Sequence, residues 1–379
     1  MLLITNKIYF KLIYTIKKKL QLLFKKFSYG LFKLIYGKIQ KSETIGFNNN
    51  SSFKLSKINE NYCYKVYFVK NARLYTDTIN DTAIIQKNKI ISGPSFQIRN
   101  VKFVNIENNI VFKKGTPRFK KNINGKVFSL LTGGAGNNNY FHWLFDVLPR
   151  LKILENTIDL KEIDYFLFPK LSHRFQIESL ELLNIPKNKS ISAVDFRHIV
   201  CDEIIATDHP YVIENDASRE IQNLPLWIID WLKKNFTTKF NLNDTRFPKK
   251  IYIERGDADK NIKSLRKIIN EKDVIEEVKK RDYTVITLGN YSLTDQIKYI
   301  FNAKKIVGLH GAGFGNFVFS SPNSEVLELK PINAGNMYKN LADKCSLSYS
   351  CISVVPEKFN ENNQMGHIRI DLTELRKKL

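Results

Sequence analysis

The spacing of apolar residues follows three different patterns along the chain. Residues 1–41 repeat apolar residues and lysines at helical intervals and contain no acidic residue. Residues 62–130 hold short β-branched and aromatic runs between turn formers, a pattern that predicts several strands with little helix. From residue 160 onwards, strand-like runs alternate with helical ones, which is typical of α/β domains. We therefore expect a helix at residues 1–41 and two α/β domains at residues 42–240 and 241–379.

The order of the predicted elements in the second domain indicates a doubly wound parallel sheet. Its predicted strands are residues 250–254, 284–288, 306–309 and 326–329, and its predicted helices are residues 264–270, 274–281 and 292–301. In the first domain the predicted strands include residues 64–69, 83–85, 101–106, 110–112 and 127–131. The polar, asparagine-rich residues 42–53 predict a linker ahead of these strands.

On a helical wheel, the first 41 residues form an amphipathic basic helix. Seven lysines fall within one third of the wheel: Lys7, Lys11, Lys18, Lys19, Lys25, Lys26 and Lys33. Apolar residues, among them Ile16, Leu20, Leu23 and Phe27, fill the opposite side. This pattern is typical of a helix lying in the plane of an anionic membrane surface. The alternative is a helix packed on the protein with a solvated lysine face.

The formal net charge is +23, and the ten lysines of residues 1–41 supply a large part of it. No recognised nucleic-acid motif accompanies the charge, so we expect a membrane rather than a nucleic-acid partner. No uncharged run approaches the length of a membrane-spanning helix. The four cysteines lack C-x-x-C spacing, which favours reduced thiols in a cytoplasm.

A glycine-rich turn follows the strand predicted at residues 127–131. Asn139 then offers a helix cap, and His142 and Asp146 share one face of the helix, which Arg150 extends by another turn. A histidine and an aspartate at such a helix start suit an acid/base or phosphate-binding pair in a cleft. The alternative is an ordinary surface pair at this spacing.

A second glycine turn, HGAGFG, begins at His310, directly after another predicted strand. Small residues there let backbone N–H groups converge on an anion, although a tight turn needs the same glycines for packing. Glu328 is the carboxylate within the next predicted strand, a position from which an acid can bind a ribose. Arg255 stands at the carboxyl end of the strand predicted at residues 250–254. The turn therefore predicts a nucleotide diphosphate site.

Metal chemistry is not expected. Asp257 and Asp259 form an Asp-x-Asp string, but they do not directly end a strand, and we interpret them as part of a loop. His173, His198 and His209 lack the spacing of metal ligands, and we interpret them as structural.

Three strings resemble, in this order, glycosyltransferase family 61. They are GNNNYFHWLFDVLPRL, IYIERGDADKNIKSLRKIINE and KKIVGLHGAGFGNFVFSSPNSEVLEL, and the resemblance covers about residues 130–330. It implies a GT-B-like α/β architecture, in which two Rossmann-like domains face a cleft. It also implies inverting transfer from a nucleotide sugar, usually a UDP-sugar, without a cofactor or an obligatory metal.

The resemblance also implies roles for individual residues. The expected diphosphate ligands are His310, Gly311, Ala312, Gly313 and Asn316. Glu328 would reach the ribose, and Arg255 and Arg266 would balance the charge of the leaving group. Glu271 would orient Arg266.

On the acceptor side of the cleft, His142 and Asp146 would face the donor, and Asn139 and Arg150 would bind substrate. Because an inverting displacement needs a base for the acceptor hydroxyl, either His142 or Asp146 is our candidate.

We therefore expect a cytoplasmic glycosyltransferase, peripheral on the inner face of the membrane, that acts in the biosynthesis of capsular or other surface polysaccharides. Its expected partners are a nucleotide sugar, a glycan or lipid-linked glycan acceptor, and an anionic membrane surface bound through residues 1–41. The alternative is a non-catalytic sugar-nucleotide-binding or membrane-scaffold protein. Such a protein would not need His142, Asp146, Arg255 and Arg266 together.

Overall fold

The structure is a computed structural model, and it describes residues 2–46, 50–76, 81–133, 139–256, 266–357 and 366–379. In the first helix, side chains are described from Ile13 onwards.

The chain begins with helix α1, Leu2–Tyr36. Its apolar side chains are largely exposed between Ile13 and Leu31, and its last turn packs on the rest of the protein. There the ring of Phe32 lies 5.1 Å from Phe119, and that of Tyr36 lies 5.2 Å from His198. Among the described residues, no helix combines the length and the apolar character needed to cross a membrane.

The first half of the chain builds a mixed sheet. Its strands are β1 Ser42–Thr44, β2 Ser51–Lys57, β3 Cys63–Tyr75, β4 Ala83–Gln86 and β5 Lys89–Ser92. A separate antiparallel pair follows, β6 Ile98–Arg99 and β7 Lys102–Phe103. The sheet continues with β8 Lys121–Asn122, β9 Lys126–Ser129, β10 Tyr165–Phe168, β11 Ser190–Ser192 and β12 His198–Thr207. The strand order is β1-β5-β4-β3-β12-β9-β10-β11, with β2 beside β3 and β8 beside β12.

The pairing in this sheet changes from parallel to antiparallel at β12. Strands β12, β9, β10 and β11 are parallel to one another, whereas β3 runs antiparallel to β12, with Val66 opposite Thr207. The amino end of β3 therefore lies beside the carboxyl end of β12. The domain is mixed rather than Rossmann-like throughout, because the long strand β3 pairs along nearly all of β12.

The helices of this half are α2 Ile110–Lys114, α3 Tyr140–His142, α4 Pro149–Glu155, α5 Arg174–Leu182, α6 Ala217–Glu220 and α7 Leu226–Thr237. A π-helical segment, Trp143–Val147, joins α3 to α4. It ends two residues before Pro149, which has no N–H to donate and whose ring crowds the preceding turn. The wider π turn accommodates the proline without ending the helix.

The second half forms a fully parallel sheet. Its strands are β13 Lys250–Ile253, β14 Thr284–Ile286, β15 Lys305–Leu309, β16 Glu325–Pro331 and β17 Ser348–Val354, in the order β14-β13-β15-β16-β17. Its helices are α8 Glu271–Lys279, α9 Leu293–Asn302, α10 Met337–Lys344 and α11 Leu372–Lys378. Between β15 and β16 lies a 3-10 helix, Ala312–Phe319.

Helices cover both faces of this second sheet. Ile251 and Ile253 of β13 share a buried cluster with apolar residues of α9, whereas Tyr252 between them packs with α8. Because successive side chains of a strand point to opposite faces, α8 and α9 lie on different sides. The parallel, doubly wound sheet predicted from the sequence is confirmed.

One buried apolar cluster includes side chains from both sheets. Its central contact joins α3 and the π-helical segment to the 3-10 helix. A Cβ at Gly315 would lie 3.5 Å from the rings of Phe141 and Phe145, so glycine permits this close approach. The predicted GT-B-like cleft between two domains stays a prediction.

Three local predictions were wrong. The predicted linker at residues 42–53 contains β1 and the start of β2, which pair with β5 and β3. The predicted strand at residues 110–112 is helix α2, because Asn109 caps its start and Gly115, with φ +66°, ends it. In the predicted helix at residues 264–270, the described part is not helical, and Ile268 forms a β-bridge with Ile368.

Candidate active site

The carboxyl ends of β13 and β15 define the first part of the candidate site. These neighbouring strands connect to opposite edges of the sheet, since β13 leads to β14 and β15 leads to β16. In open α/β sheets, ligands bind in the crevice at such a switch point. Arg255 follows β13 by two residues, and His310 follows β15 directly.

Two arginines gather at this crevice. Arg266 Nη1 donates to the backbone carbonyl of His310 at 2.7 Å, and Arg255 Nη1 donates to the carbonyl of Arg266 at 3.3 Å. A Cβ at Gly311 would lie 3.3 Å from Arg255 Nε, so the glycine leaves room for the guanidinium. Burial and the nearby charge of Arg255 lower the pKa of Arg266 to about 10. Two cations this close favour a bound anion.

The His310 side chain is buried and held by an acid. Its Nδ1 hydrogen-bonds one carboxylate oxygen of Glu328, and the Tyr349 hydroxyl donates to the other. Burial lowers the pKa of His310; Glu328 opposes this shift, and the charges of Arg266 and Lys330 add to it. The imidazole is therefore neutral near pH 7, with Nδ1–H donated to Glu328 and the lone pair on Nε2.

This geometry changes the interpretation of Glu328. Its side chain is 1% exposed, and both of its oxygens accept hydrogen bonds. The structure favours a role in orienting His310 over the predicted contact with a ribose.

Two asparagines that we predicted as ligands instead stabilise the local structure around the site. Asn139 accepts hydrogen bonds from the N–H groups of Phe141 (2.9 Å) and His142 (3.4 Å) and so caps α3. Asn316 is fully buried; it accepts from the Tyr140 hydroxyl at 2.7 Å and donates to the Gly313 carbonyl at 3.1 Å. Asn316 thus joins the loop after β15 to helix α3.

His142 and Asp146 form the second part of the site. His142 Nδ1 lies 2.9 Å from Asp146 Oδ2, and the His142 side chain stays 21% exposed. Burial alone would lower the pKa of His142, but the charge and hydrogen bond of Asp146 raise it overall. Conversely, burial would raise the pKa of Asp146, and His142 and His209 hold it well below its usual range. The pair therefore resembles a base with its orienting carboxylate.

His209, which we interpreted as structural, reaches the same carboxylate. Its Nε2 lies 3.8 Å from Asp146 Oδ2. Its Nδ1 accepts hydrogen bonds from the N–H groups of Tyr211 (3.4 Å) and Val212 (3.1 Å), which places the proton of the neutral ring on Nε2. Burial lowers the pKa of His209. Asp146 therefore lies between two histidines.

Arg150 supports this cluster through hydrogen bonds to the backbone. It is fully buried, and its Nε and Nη1 donate to the backbone carbonyls of Asp146 (3.0 Å) and Thr207 (3.4 Å). These bonds hold the helix over the carboxyl end of β12. The position favours support of Asp146 over the predicted contact with substrate.

Glu271, at the start of α8, accepts a hydrogen bond of 3.2 Å from the Tyr252 hydroxyl. The pKa of Glu271 is raised overall, and burial is the largest cause. Glu254 adds to this rise, whereas the hydrogen bond from Tyr252 and the charge of Arg255 oppose it. The predicted role of Glu271 in orienting Arg266 stays a prediction. Asp257 and Asp259 lie outside the described residues. Within the described ranges, no three His, Cys, Asp or Glu side chains are grouped to hold a metal ion.

The two parts of the site meet around Tyr338, on α10. Its ring centroid lies 4.8 Å from that of His310 and 6.0 Å from that of Phe141, the residue before His142. Tyr338, His209 and Tyr349 were not among the predicted site residues. His209 follows the carboxyl end of strand β12 by two residues, a position where ligand-binding groups often lie; Tyr338 and Tyr349 carry no comparable local motif.

A family model described as Glycosyltransferase 61 matches residues 140–327. The match begins at the first residue of α3 and ends within β16, so it includes His142 and Asp146 as well as Arg255, Arg266 and His310, and it ends one residue before Glu328. The chain carries a glycosyltransferase 61 domain. No curated protein matches the chain. The match indicates that this domain transfers sugars and, in general, uses a nucleotide sugar and a glycan acceptor.

Proposed function

We propose that this protein is an inverting glycosyltransferase that moves a sugar from a UDP-sugar to a glycan acceptor in surface polysaccharide biosynthesis. The observation that carries the proposal is the pair Arg255 and Arg266 beside His310 at the switch point. A diphosphate placed there meets two fixed cations, and a preorganised cation stabilises charge as it develops. Arginine also matches the planar geometry of phosphate oxygens.

The proposed reaction is one displacement at the anomeric carbon. The acceptor oxygen forms a bond to that carbon while the bond to the diphosphate oxygen breaks, and the electron pair stays on the diphosphate. Arg255 and Arg266 balance the charge of the diphosphate. The acceptor proton moves to Nε2 of His142, and Asp146 stabilises the resulting imidazolium. No metal is required in this scheme, because the two arginines supply the positive charge.

We also propose that α1 holds the enzyme on the inner, anionic face of a membrane. Between Ile13 and Leu34 its apolar side chains are mostly exposed, including Phe24 at 71% and Phe27 at 69%. Lysines alternate with them without an acid. A helix of this kind gains apolar burial and electrostatic attraction at a lipid surface. An acceptor that is itself lipid-linked would then be within reach.

The first experiment is a thermal-shift screen of the purified full chain with UDP-, GDP-, CMP- and dTDP-sugars, with and without chelator. Selective stabilisation by a UDP-sugar that survives chelator is the expected result. Loss of the stabilisation in chelator would revive Asp257 and Asp259 as metal ligands. Stabilisation by a UDP-sugar together with no transfer to any glycan would favour a non-catalytic nucleotide-sugar-binding protein instead.

A further inference from the structure

A separate cavity of about 480 Å³ opens in the first half of the protein. It lies where the carboxyl end of β12 adjoins the amino end of β3, and residues between Asn61 and Ile213 line it. Its size is in the range of small-ligand pockets. Neither Arg255, Arg266 nor His310 belongs to its lining, so it is distinct from the crevice of the second sheet.

The cavity combines aromatic walls with polar groups. The Tyr62 ring stacks on Tyr64, with centroids 6.3 Å apart and planes 6° from parallel. Phe96 and Phe103 form an edge-to-face pair at 5.7 Å. Both rings of each pair contribute to the lining, together with Asp208. Aromatic faces offer apolar surface without mobile side chains.

The Asp208 carboxylate is held by two hydrogen bonds and can accept further ones. Its Oδ1 accepts from the Tyr67 hydroxyl at 2.6 Å, and its Oδ2 accepts from the Lys65 N–H at 2.7 Å. Each carboxylate oxygen has two lone pairs, so each has room for one further donor. Asn61 and Ser92, also in the lining, add amide and hydroxyl groups.

This chemistry fits a sugar ring better than a nucleotide. A pyranose presents a C–H face to an aromatic ring and hydroxyl groups to carboxylates and amides around its rim. A phosphate would meet the negative charge of Asp208, and the lining in the described part of the chain contains no lysine or arginine. The cavity therefore discriminates against the donor diphosphate.

His209 connects the cavity to the proposed base. It belongs to the lining, and its Nε2 lies 3.8 Å from Asp146 Oδ2, which in turn lies 2.9 Å from His142 Nδ1. A sugar in the cavity would thus lie beside the cluster that orients His142.

The lining of the cavity extends beyond the family match. Asp208 and His209 fall inside the family match at residues 140–327, whereas the aromatic walls formed by Tyr62, Phe96 and Phe103 lie before it. The aromatic walls therefore lie outside the part of the chain that the family model matches.

We propose that this cavity is an acceptor subsite that holds one sugar unit of the glycan next to the unit that reacts. The proposal rests on the proposed transferase function. Tyr62 and Phe103 bind the apolar face of the sugar, and Asp208 accepts from its hydroxyl groups.

The test uses saturation-transfer NMR on the full chain. The probes are the methyl β-glycosides of glucose, galactose and N-acetylglucosamine. We expect at least one of them to bind, and Tyr62→Ala and Phe103→Ala each to weaken that binding about tenfold. Asp208→Asn keeps the size of the side chain and one acceptor oxygen, and it also weakens binding. The matched control, Phe119→Ala, removes an aromatic ring that is 75% exposed and outside the cavity, and it leaves binding unchanged.

Stabilisation by a UDP-sugar is measured on the same variants and separates the two proposals. Stabilisation without glycoside binding, or glycoside binding that all three cavity variants retain, overturns the acceptor subsite alone. Glycoside binding that depends on the cavity, with no stabilisation by any nucleotide sugar, upholds a sugar site and overturns the transferase. If an alanine variant does not fold by thermal melting, Asp208→Asn decides the outcome.

Discussion

Arg266 donates a 2.7 Å hydrogen bond to the backbone carbonyl of His310, although 44 positions separate the two residues. The contact anchors a guanidinium at the edge of the sheet through one of its five N–H donors. A cation fixed in this way needs little reorganisation when negative charge develops beside it. The same bond positions the backbone of the glycine turn, so the arginine and the turn form one unit.

Arg255→Ala and Arg266→Lys should each lower the rate of transfer by about 10²–10³-fold, because each removes part of the charge stabilisation at the diphosphate. Lysine keeps the charge at position 266 but loses the planar fork. Initial rates of donor consumption with a saturating glycan acceptor measure the effect. The control is Arg219→Ala, whose guanidinium is exposed beside Glu214. Near-full activity in either site variant would contradict the assignment.

The rate of transfer should depend on pH through His142. As a base His142 must be neutral, so the rate rises with pH through its pKa, which lies above the ordinary value of 6.5. Asp146→Asn removes the charge that raises this pKa and leaves the burial that lowers it. The rising limb of the pH–rate profile should therefore move to lower pH, and the maximal rate should fall.

Profiles of kcat/KM between pH 5 and 9 measure this shift. Asp244→Asn, at an exposed ion pair with Arg246, is the control and should leave the profile unchanged. A profile that is identical in wild type and Asp146→Asn would exclude His142 as the base.

Binding of a UDP-sugar should take up a proton at His310. The pKa of His310 is lowered by burial and by Arg266 and Lys330, and a diphosphate would raise it again by adding negative charge. The complex therefore binds more protons than the free protein, and affinity should increase as pH falls. Isothermal titration calorimetry at pH 7, in buffers of different ionisation enthalpy, counts the protons.

His310→Gln should abolish this uptake, whereas His173→Gln, at a helix start outside the site, should retain it. An unchanged proton count in His310→Gln would show that another group titrates.

Replacing Leu23, Phe24 and Phe27 with serine in the full chain should release it from vesicles that contain phosphatidylglycerol. These side chains are 63%, 71% and 69% exposed, and burying each in lipid contributes about 1.5–3 kcal/mol. Co-sedimentation should therefore weaken by at least about 100-fold. Substitution is preferable to deletion, because Phe32 and Tyr36 in the last turn pack on Phe119 and His198.

The matched control is Leu55→Ser with Val355→Ser, two exposed apolar positions outside α1. Wild type should bind phosphatidylcholine vesicles more weakly than anionic ones, since the lysines contribute only where the surface is negative. Undiminished sedimentation of the triple variant would place the anchor elsewhere.

The second sheet was predictable from the sequence because its strands are buried on both faces. Residues such as Ile306 and Val307 then read as an uninterrupted apolar run. Short apolar runs were ambiguous. Ile110, Val111 and Phe112 fit a strand as well as a helix, and they form a helix because Asn109 caps its start. The polar strand β1 lies at an edge of the first sheet, where little of it is buried, so its sequence resembled a linker.

Within the site, the sequence indicated residues that belong to local motifs, such as Arg255 and His310. The contact between His209 and Asp146 could not be predicted, because 63 residues separate the two and only the path of α4 over β12 brings them together. Likewise, Tyr349 reaches Glu328 because β17 pairs with β16, which no local pattern specifies.

The apolar cluster shared by both sheets has a kinetic consequence. A wide hinge opening would expose side chains such as Phe141, Phe145 and Phe317, at about 1.5–3 kcal/mol each. States opened this far would be rare, so donor entry and product departure should proceed along the edge of the second sheet without separation of the two halves. We therefore expect turnover to be insensitive to a disulfide cross-link placed across the two halves away from this edge.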